Sequence, residues 1–311
     1  MSVGVASRPA AGADPTVLRG WLTWQRAERI GLALLLVTHL TLALLYSVAT
    51  PLLEGWDEVG HFVALRHVSR PDVYPSATPP DLPNEANQPP LFYLIAGKLF
   101  APLLPSQAWS PDLNGSSLTV QGGRNFVLHS GAEDFPYRGV FLYLHAIRLF
   151  NALISCLLTL AIYFTARLLT RGPTLLPLLA GALASFVPTW LELSGIMAND
   201  ALAIVGAAVA LFFGVRVLTQ RDRHFFWVGL VVGLALITKL TALFIAPVFL
   251  VFAVFCAARS GQAKHLLWWP LQYVVAAIAV TLPGSAPPSS PCGWSTANGC
   301  AGSRCSASRN A

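Results

Sequence analysis

"IGLALLLVTHLTLALLYSVA" occupies residues 30–49, and "EGWDEVGHF" follows at 54–62. The first stretch decides the fold. A helix needs about 20 apolar residues to cross a bilayer, and this run supplies them almost without interruption. Backbone groups in lipid must pair within the segment, so the run reads as a helix. Six more apolar windows follow, at 149–166, 173–190, 201–215, 225–238, 240–258 and 266–283. They are too long and continuous for barrel strands. Over the whole chain, hydrophobic residues make up 55% and charged residues 11%, with mean hydropathy +0.59. A soluble domain carries about 25% charged residues. The expectation is an all-α polytopic membrane protein with about seven spans.

The formal net charge is +6, but the basic residues sit at the ends of the apolar windows and not in a patch for nucleic acid. Arg8, Arg19, Arg26 and Arg29 precede the first window, and Arg167 and Arg171 follow the second. Arg216, Arg221 and Arg223 separate the fourth and fifth, and Arg259 and Lys264 the sixth and seventh. The positive-inside rule makes each group cytoplasmic. Residues 1–29 are then an inner N-terminal segment, too long and polar before the first apolar run for a cleavable signal peptide. Residues 30–283 form the membrane module, and 50–140 its first outer loop. That loop is too long for a mere connector, and loops of this kind are usually functional. It holds "PPLFYLIAGKLFAPLLP" (89–105), which is too short to span and carries Lys98, so it reads as an interfacial or re-entrant helix. The stretch 284–311 changes to Ser, Gly, Ala, Pro, Cys and Arg without periodicity. That is the composition of disorder, or of translation in a shifted frame of GC-rich DNA. The five cysteines follow no metal-site spacing.

The remaining outer segments are short, so polar groups that can act outside converge on one surface. Asp57 and His61 lie four apart on one face if "DEVGHFVALRHV" is helical. Val59, Phe62 and Val63 then form an apolar edge towards lipid. In the functional reading Asp57 is a general base, and Glu58 or His61 tunes it. An acceptor hydroxyl needs such a carboxylate to take its proton as a bond forms. The competing reading is an acid at a helix N-terminus, favoured by the dipole. In "NEANQPPLFYL" (84–94), Glu85, Asn87 and Gln88 can bind a polar substrate or cap a turn. Asn199 and Asp200 open an apolar helix, and N-capping accounts for Asn199. Lys239 either snorkels from an outer turn or binds phosphate as a point charge. Arg148 either holds an anion or anchors at the interface. No phosphate-binding glycine loop, zinc motif or serine triad is present, so no motif calls for a cofactor. A divalent metal stays an open alternative.

Taken in order, "GWDEVGHF", "NQPPLFYL", "RLFNALISCLLTLAIYFTARLL", "GIMANDALAI" and "GLALITKLTALFIAPVFL" resemble the GT-C membrane glycosyltransferases. The nearest branch is that of the protein O-mannosyltransferases and the aminoarabinose transferase of lipid A. The resemblance covers about residues 30–280. It implies transfer of a sugar from a polyprenyl-phosphate donor at the outer membrane face, with membrane lipids around the protein and no nucleic acid. It puts Asp57 in the catalytic-carboxylate position and Glu58 beside it as a second acid. Pro89, Pro90 and Tyr93 match the loop motif, with Asn87 and Gln88 where many relatives carry a histidine or a charged residue. Lys239 falls where relatives often have a basic residue facing the lipid phosphate. The larger C-terminal part of such relatives has no counterpart in this sequence. The expected setting is a bacterial plasma membrane. The alternatives from the residues themselves are a transporter and a non-catalytic or truncated membrane protein.

Overall fold

The computed structural model describes residues 15–70, 88–106, 109–112, 125–219 and 225–285. Among the described residues, ten α-helices run in chain order: α1 (Pro15–Ala49), α2 (Glu58–Ser69), α3 (Leu91–Phe100), α4 (Gly139–Leu169), α5 (Leu176–Ser185), α6 (Pro188–Gly195), α7 (Asp200–Thr219), α8 (Phe226–Leu236), α9 (Ile245–Arg259) and α10 (Ala263–Ser285). The fold is all-helical, as the apolar windows require. Residues 286–311, the irregular stretch of the sequence, lie outside the described residues.

Among the described residues, four segments are long and apolar enough to cross a membrane: Leu22–Ala49, Gly139–Leu169, Asp200–Thr219 and Leu240–Arg259. The third apolar window is instead a bent pair, α5 and α6, with 64° between them. Pro188 cannot continue the helix of α5, because it lacks an N–H and its ring would clash with the preceding turn. Counting that pair as one gives up to five candidate spans among the described residues, by length and composition, beside the expectation of about seven. The other two windows are helical, but α8 has only 11 residues, short of a bilayer's thickness at about 1.5 Å per residue. In α10, Lys264 and His265 precede the apolar run and Gln272 lies within it. At the other end, α1 begins fifteen residues before the first apolar window, within the segment expected to be polar and separate.

α1 and α4 pack antiparallel, and their register is set by a polar stripe. Arg148, Asn151, Ser155 and Thr159 recur at helical spacing on one face of α4, and all are fully buried. Within the bilayer such groups must find partners in the protein. His39 Nε2 of α1 lies 2.7 Å from Ser155 Oγ, and Thr159 Oγ1 lies 2.6 Å from Ser185 Oγ of α5. At the far end of the two helices, Tyr163 donates to Glu28 Oε1 at 3.0 Å, and Arg167 Nε lies 3.2 Å from the same oxygen.

α8 meets α10 at close range through Gly229 and Gly233. A Cβ on Gly229 would overlap the Tyr273 carbonyl, and one on Gly233 would come within 2.8 Å of the Ala277 carbonyl. Small residues at this spacing let two helix backbones touch. Gly229→Ala is expected to force the pair apart and destabilise the fold by about 1–3 kcal/mol, the usual scale of overpacking. Unfolding of the variant in mild detergent measures this. Wild-type stability would show that the helices separate without cost.

The stretch between α1 and α4 builds a small core over one end of the bundle. Phe62 and Leu65 of α2, Phe92, Tyr93 and Ala96 of α3, and Tyr143, Leu144 and Ile147 of α4 are all buried in it. α3 is the short helix expected from "PPLFYLIAGKLFAPLLP". Phe62 does not face lipid as expected. It is enclosed by Trp109 and Tyr143, at ring distances of 5.6 and 6.5 Å. Arg66 holds Trp109 in place through a hydrogen bond to its carbonyl.

Candidate functional site

The turn leaving α1 is built around two left-handed residues, Leu53 (φ 63°) and Asp57 (φ 55°). Neither is glycine, and leucine in particular has no ease there. Such backbone persists where surrounding contacts impose it, and it clusters at functional sites. The imposing contact is a buried ion pair. Glu58 Oε2 lies 2.6 Å from Arg148 Nη2 and Glu58 Oε1 accepts from Nε at 2.7 Å, with the two side chains 1% and 0% exposed. Oε1 also accepts from Met197 N at 2.8 Å, and Oε2 from Gly55 N at 3.3 Å. The rest of the guanidinium donates to the carbonyls of Ser47, Thr50 and Pro51 at 2.7, 2.8 and 3.0 Å.

This geometry corrects two expectations. Arg148 has every N–H donor engaged within the protein, so it has none left for a substrate anion. It is neither an anion site nor an interfacial anchor. It ties the end of α1 to α2 and α4. Glu58 likewise has both oxygens taken, so its part in the site is to fix the residue before it.

That residue, Asp57, is exposed. Its carbonyl accepts from His61 N at 2.9 Å, but its carboxylate makes no cap on α2. An N-cap acid would accept from the N–H groups of the first turn, so capping does not account for Asp57. The side chain opens on a pocket of about 550 Å³ lined by Leu53, Glu54, Trp56, Val59, Gly60 and Phe126, among others.

His61 faces inward. It is 2% exposed, and its Nδ1 lies 2.8 Å from the Tyr93 hydroxyl. Burial is the main influence and pushes its pKa down to about 4. The carboxylates of Asp200, Asp57 and Glu58 pull the other way, while Lys239 adds to the lowering. His61 is therefore neutral at physiological pH, and charges from three parts of the chain surround it.

The other two parts meet α3 through backbone and amides. Leu91 N donates to the Ile237 carbonyl at 2.8 Å. Asn199 Nδ2 donates to Gln88 Oε1 at 2.6 Å and to the Thr238 carbonyl at 3.1 Å. Its Oδ1 is buried with no hydrogen-bond partner. Asn199 was expected to cap α7. Its amide nitrogen instead joins the loop before α3 to the turn after α8. Lys239 Nζ lies 2.6 Å from Asp200 Oδ2, with both groups partly exposed, so the lysine is paired and not simply snorkelling. Glu85 and Asn87 lie outside the described residues.

The structure thus gathers Asp57, His61, Gln88, Tyr93, Asn199, Asp200 and Lys239 at one end of the bundle, as the sequence suggested, and turns Glu58 and Arg148 into their support. The sequence reading assigned Asn151 no role; its Nδ2 donates to the Ile196 and Ala198 carbonyls at 2.8 Å and fixes the approach to Asn199. Its signal was the polar spacing along α4. It also missed Glu54 and Phe126 beside the pocket, for which no pattern pointed across the loop. Among the described residues, no group of three or more His, Cys, Asp or Glu side chains is arranged to hold a metal ion.

Residues 143–284 match the family described as dolichyl-phosphate-mannose-protein mannosyltransferase. That family implies a membrane glycosyltransferase of the GT-C type, in line with the apolar helices. No curated protein matches the chain.

Proposed function

We propose, taking the family match across α4 to α10 as premise, that this protein transfers a glycosyl group from a polyprenyl-phosphate donor to a hydroxyl acceptor at the extracytoplasmic face of a bacterial plasma membrane. The observation that carries the reading is Asp57: an exposed carboxylate, spent on no cap, held in left-handed backbone beside a pocket where α1 ends. Arg167, Arg216 and Arg259 close α4, α7 and α9 at the ends away from Asp57, which supports an extracytoplasmic face here.

In the proposed step, Asp57 takes the proton of the acceptor hydroxyl as its oxygen attacks the anomeric carbon. The bond from that carbon to the phosphate oxygen breaks, and the electron pair leaves with the polyprenyl phosphate. Attack opposite the leaving group inverts the configuration at the sugar. Lys239, steered by Asp200, faces the phosphate and stabilises its charge. His61 and Tyr93 form the neutral inner wall, and Gln88, held in place by Asn199, supplies an amide group for a sugar hydroxyl.

Transfer of a radiolabelled sugar from polyprenyl phosphate tests the reaction. Lys239→Ala tests the donor end. Losing one charge-assisted contact costs about 1.5–3 kcal/mol, so donor affinity is expected to fall about tenfold to a hundredfold. Folding should change little, because both members of the Asp200 pair are partly exposed and such pairs contribute little stability. Unchanged donor affinity would leave Lys239 as a partner of Asp200 only.

A further inference from the structure

The segment 125–134 closes one side of the Asp57 pocket, and a single histidine joins it to the turn after α1. His129 Nε2 lies 3.1 Å from Glu54 Oε1, and its Nδ1 lies 2.8 Å from Glu133 Oε2. Glu54 also accepts from Phe126 N and Val127 N, both at 2.8 Å. Glu133 belongs to a 3-10 turn, Gly131–Glu133, closed by a capping box with Ser130. Phe126 and Glu54 both line the pocket.

The protonation state follows from the geometry. A neutral imidazole has one N–H and one lone pair, whereas an imidazolium donates from both nitrogens. Here each nitrogen faces a carboxylate oxygen, which only accepts. Both contacts are hydrogen bonds only when the ring is charged. In the neutral ring, one lone pair would oppose a carboxylate, and two carboxylates would stand on either side of an uncharged group. We propose that His129 is an acid-closed clasp: protonated, it seats residues 125–134 on Glu54 and walls the Asp57 pocket, and deprotonated, it releases them.

The charged groups acting on the ring are Glu54, from the turn after α1, and Glu133, from its own segment. Asp112 reaches the segment through its backbone carbonyl, which accepts from Leu128 N at 2.8 Å. Partial burial disfavours the imidazolium, but the hydrogen bonds to Glu133 and Glu54 outweigh it and hold the pKa above the ordinary 6.5. A raised pKa contributes stability that is complete below the ordinary value. That stability is lost as pH rises through the folded value. The clasp is therefore closed in acid and opens towards alkaline pH. The inference rests on Asp57 marking the reaction pocket only for its functional consequence, because the clasp itself is a structural claim.

Hydrogen exchange at the Phe126 and Val127 amides tests it, on the full chain in detergent, from pH 5.5 to 9 and corrected for intrinsic rates. Protection in the wild type is expected to fall about tenfold, the scale of one charge-assisted hydrogen bond, with a midpoint above 6.5. His129→Gln, neutral at every pH, should show the weak protection throughout, and Glu133→Gln should move the midpoint to lower pH. Protection that is flat with pH in the wild type, or a pH dependence kept intact by His129→Gln, overturns the clasp. Asp57→Asn should keep the wild-type exchange profile. The clasp thus stands or falls by exchange, and the catalytic reading of Asp57 by sugar transfer.

Discussion

Arg148→Met is expected to destabilise the folded protein by about 3–5 kcal/mol, the scale for stripping one partner from a buried ion pair. The Glu58 carboxylate would remain in a site 1% exposed, with only the backbone N–H groups of Gly55 and Met197 to hold it. The carbonyls of Ser47, Thr50 and Pro51 would lose their donor at the same time. An unpaired buried acceptor carries its own desolvation cost. Arg148→Lys should recover little, because an ammonium is a point donor and cannot reproduce a planar fork spread over two carboxylate oxygens and three carbonyls. Glu58→Gln should fall between, keeping the shape and one acceptor oxygen but leaving the guanidinium unneutralised. Unfolding in mild detergent or by added denaturing detergent ranks the three. A change for Arg148→Met within about 0.5 kcal/mol, the range of surface substitutions, would mean that the end of α1 does not depend on this pair.

Asp57→Asn is expected to lower sugar transfer by at least about a hundredfold, the lower scale for losing a general base. The fold should tolerate the change. Asp57 holds φ 55°, and asparagine enters the left-handed region as readily as aspartate. No cap is lost, since the carboxylate makes none. Asp57→Ala would be a poorer test, because alanine strains the turn and mixes a backbone effect with a chemical one. Glu58→Gln is the informative contrast. It should lose stability first and activity as a consequence, whereas Asp57→Asn should lose activity with stability intact. Transfer at the wild-type rate in Asp57→Asn would remove the catalytic role and leave an exposed acid in a strained turn.

Much of this was legible in order along the chain. Length and apolarity dictate helices in lipid, because only helices and closed barrels satisfy the backbone there and the runs are too long and continuous for barrel strands. The convergence of 54–62, 199–200 and 239 on one end followed from alternating the spans against the arginines. The spacing of Arg148, Asn151, Ser155, Thr159 and Tyr163 is a signal for a polar stripe on one face of α4 that no expectation drawn from the sequence used. The adjacency of Asp57 and Glu58 marked the turn between α1 and α2. Their division of labour was not written there, since two neighbouring carboxylates in a sequence are chemically alike.

Tertiary structure decided that division. Burial and a guanidinium reached across 90 residues turn Glu58 inward as a counter-ion, and the same contact leaves Asp57 in solvent. It made Arg148 a tie, because a fork with every donor satisfied has nothing left to bind. It paired Lys239 with Asp200 and Asn199 with Gln88 across turns separated by 39 and 111 residues. It also joined His129 to Glu54 across 75 residues, a contact with no local signal. Local periodicity tells which face of a helix is apolar. Which charges meet depends on how helices far apart in the chain are packed, and that packing is chosen by the total burial of the bundle, to which no single stretch of sequence holds the key.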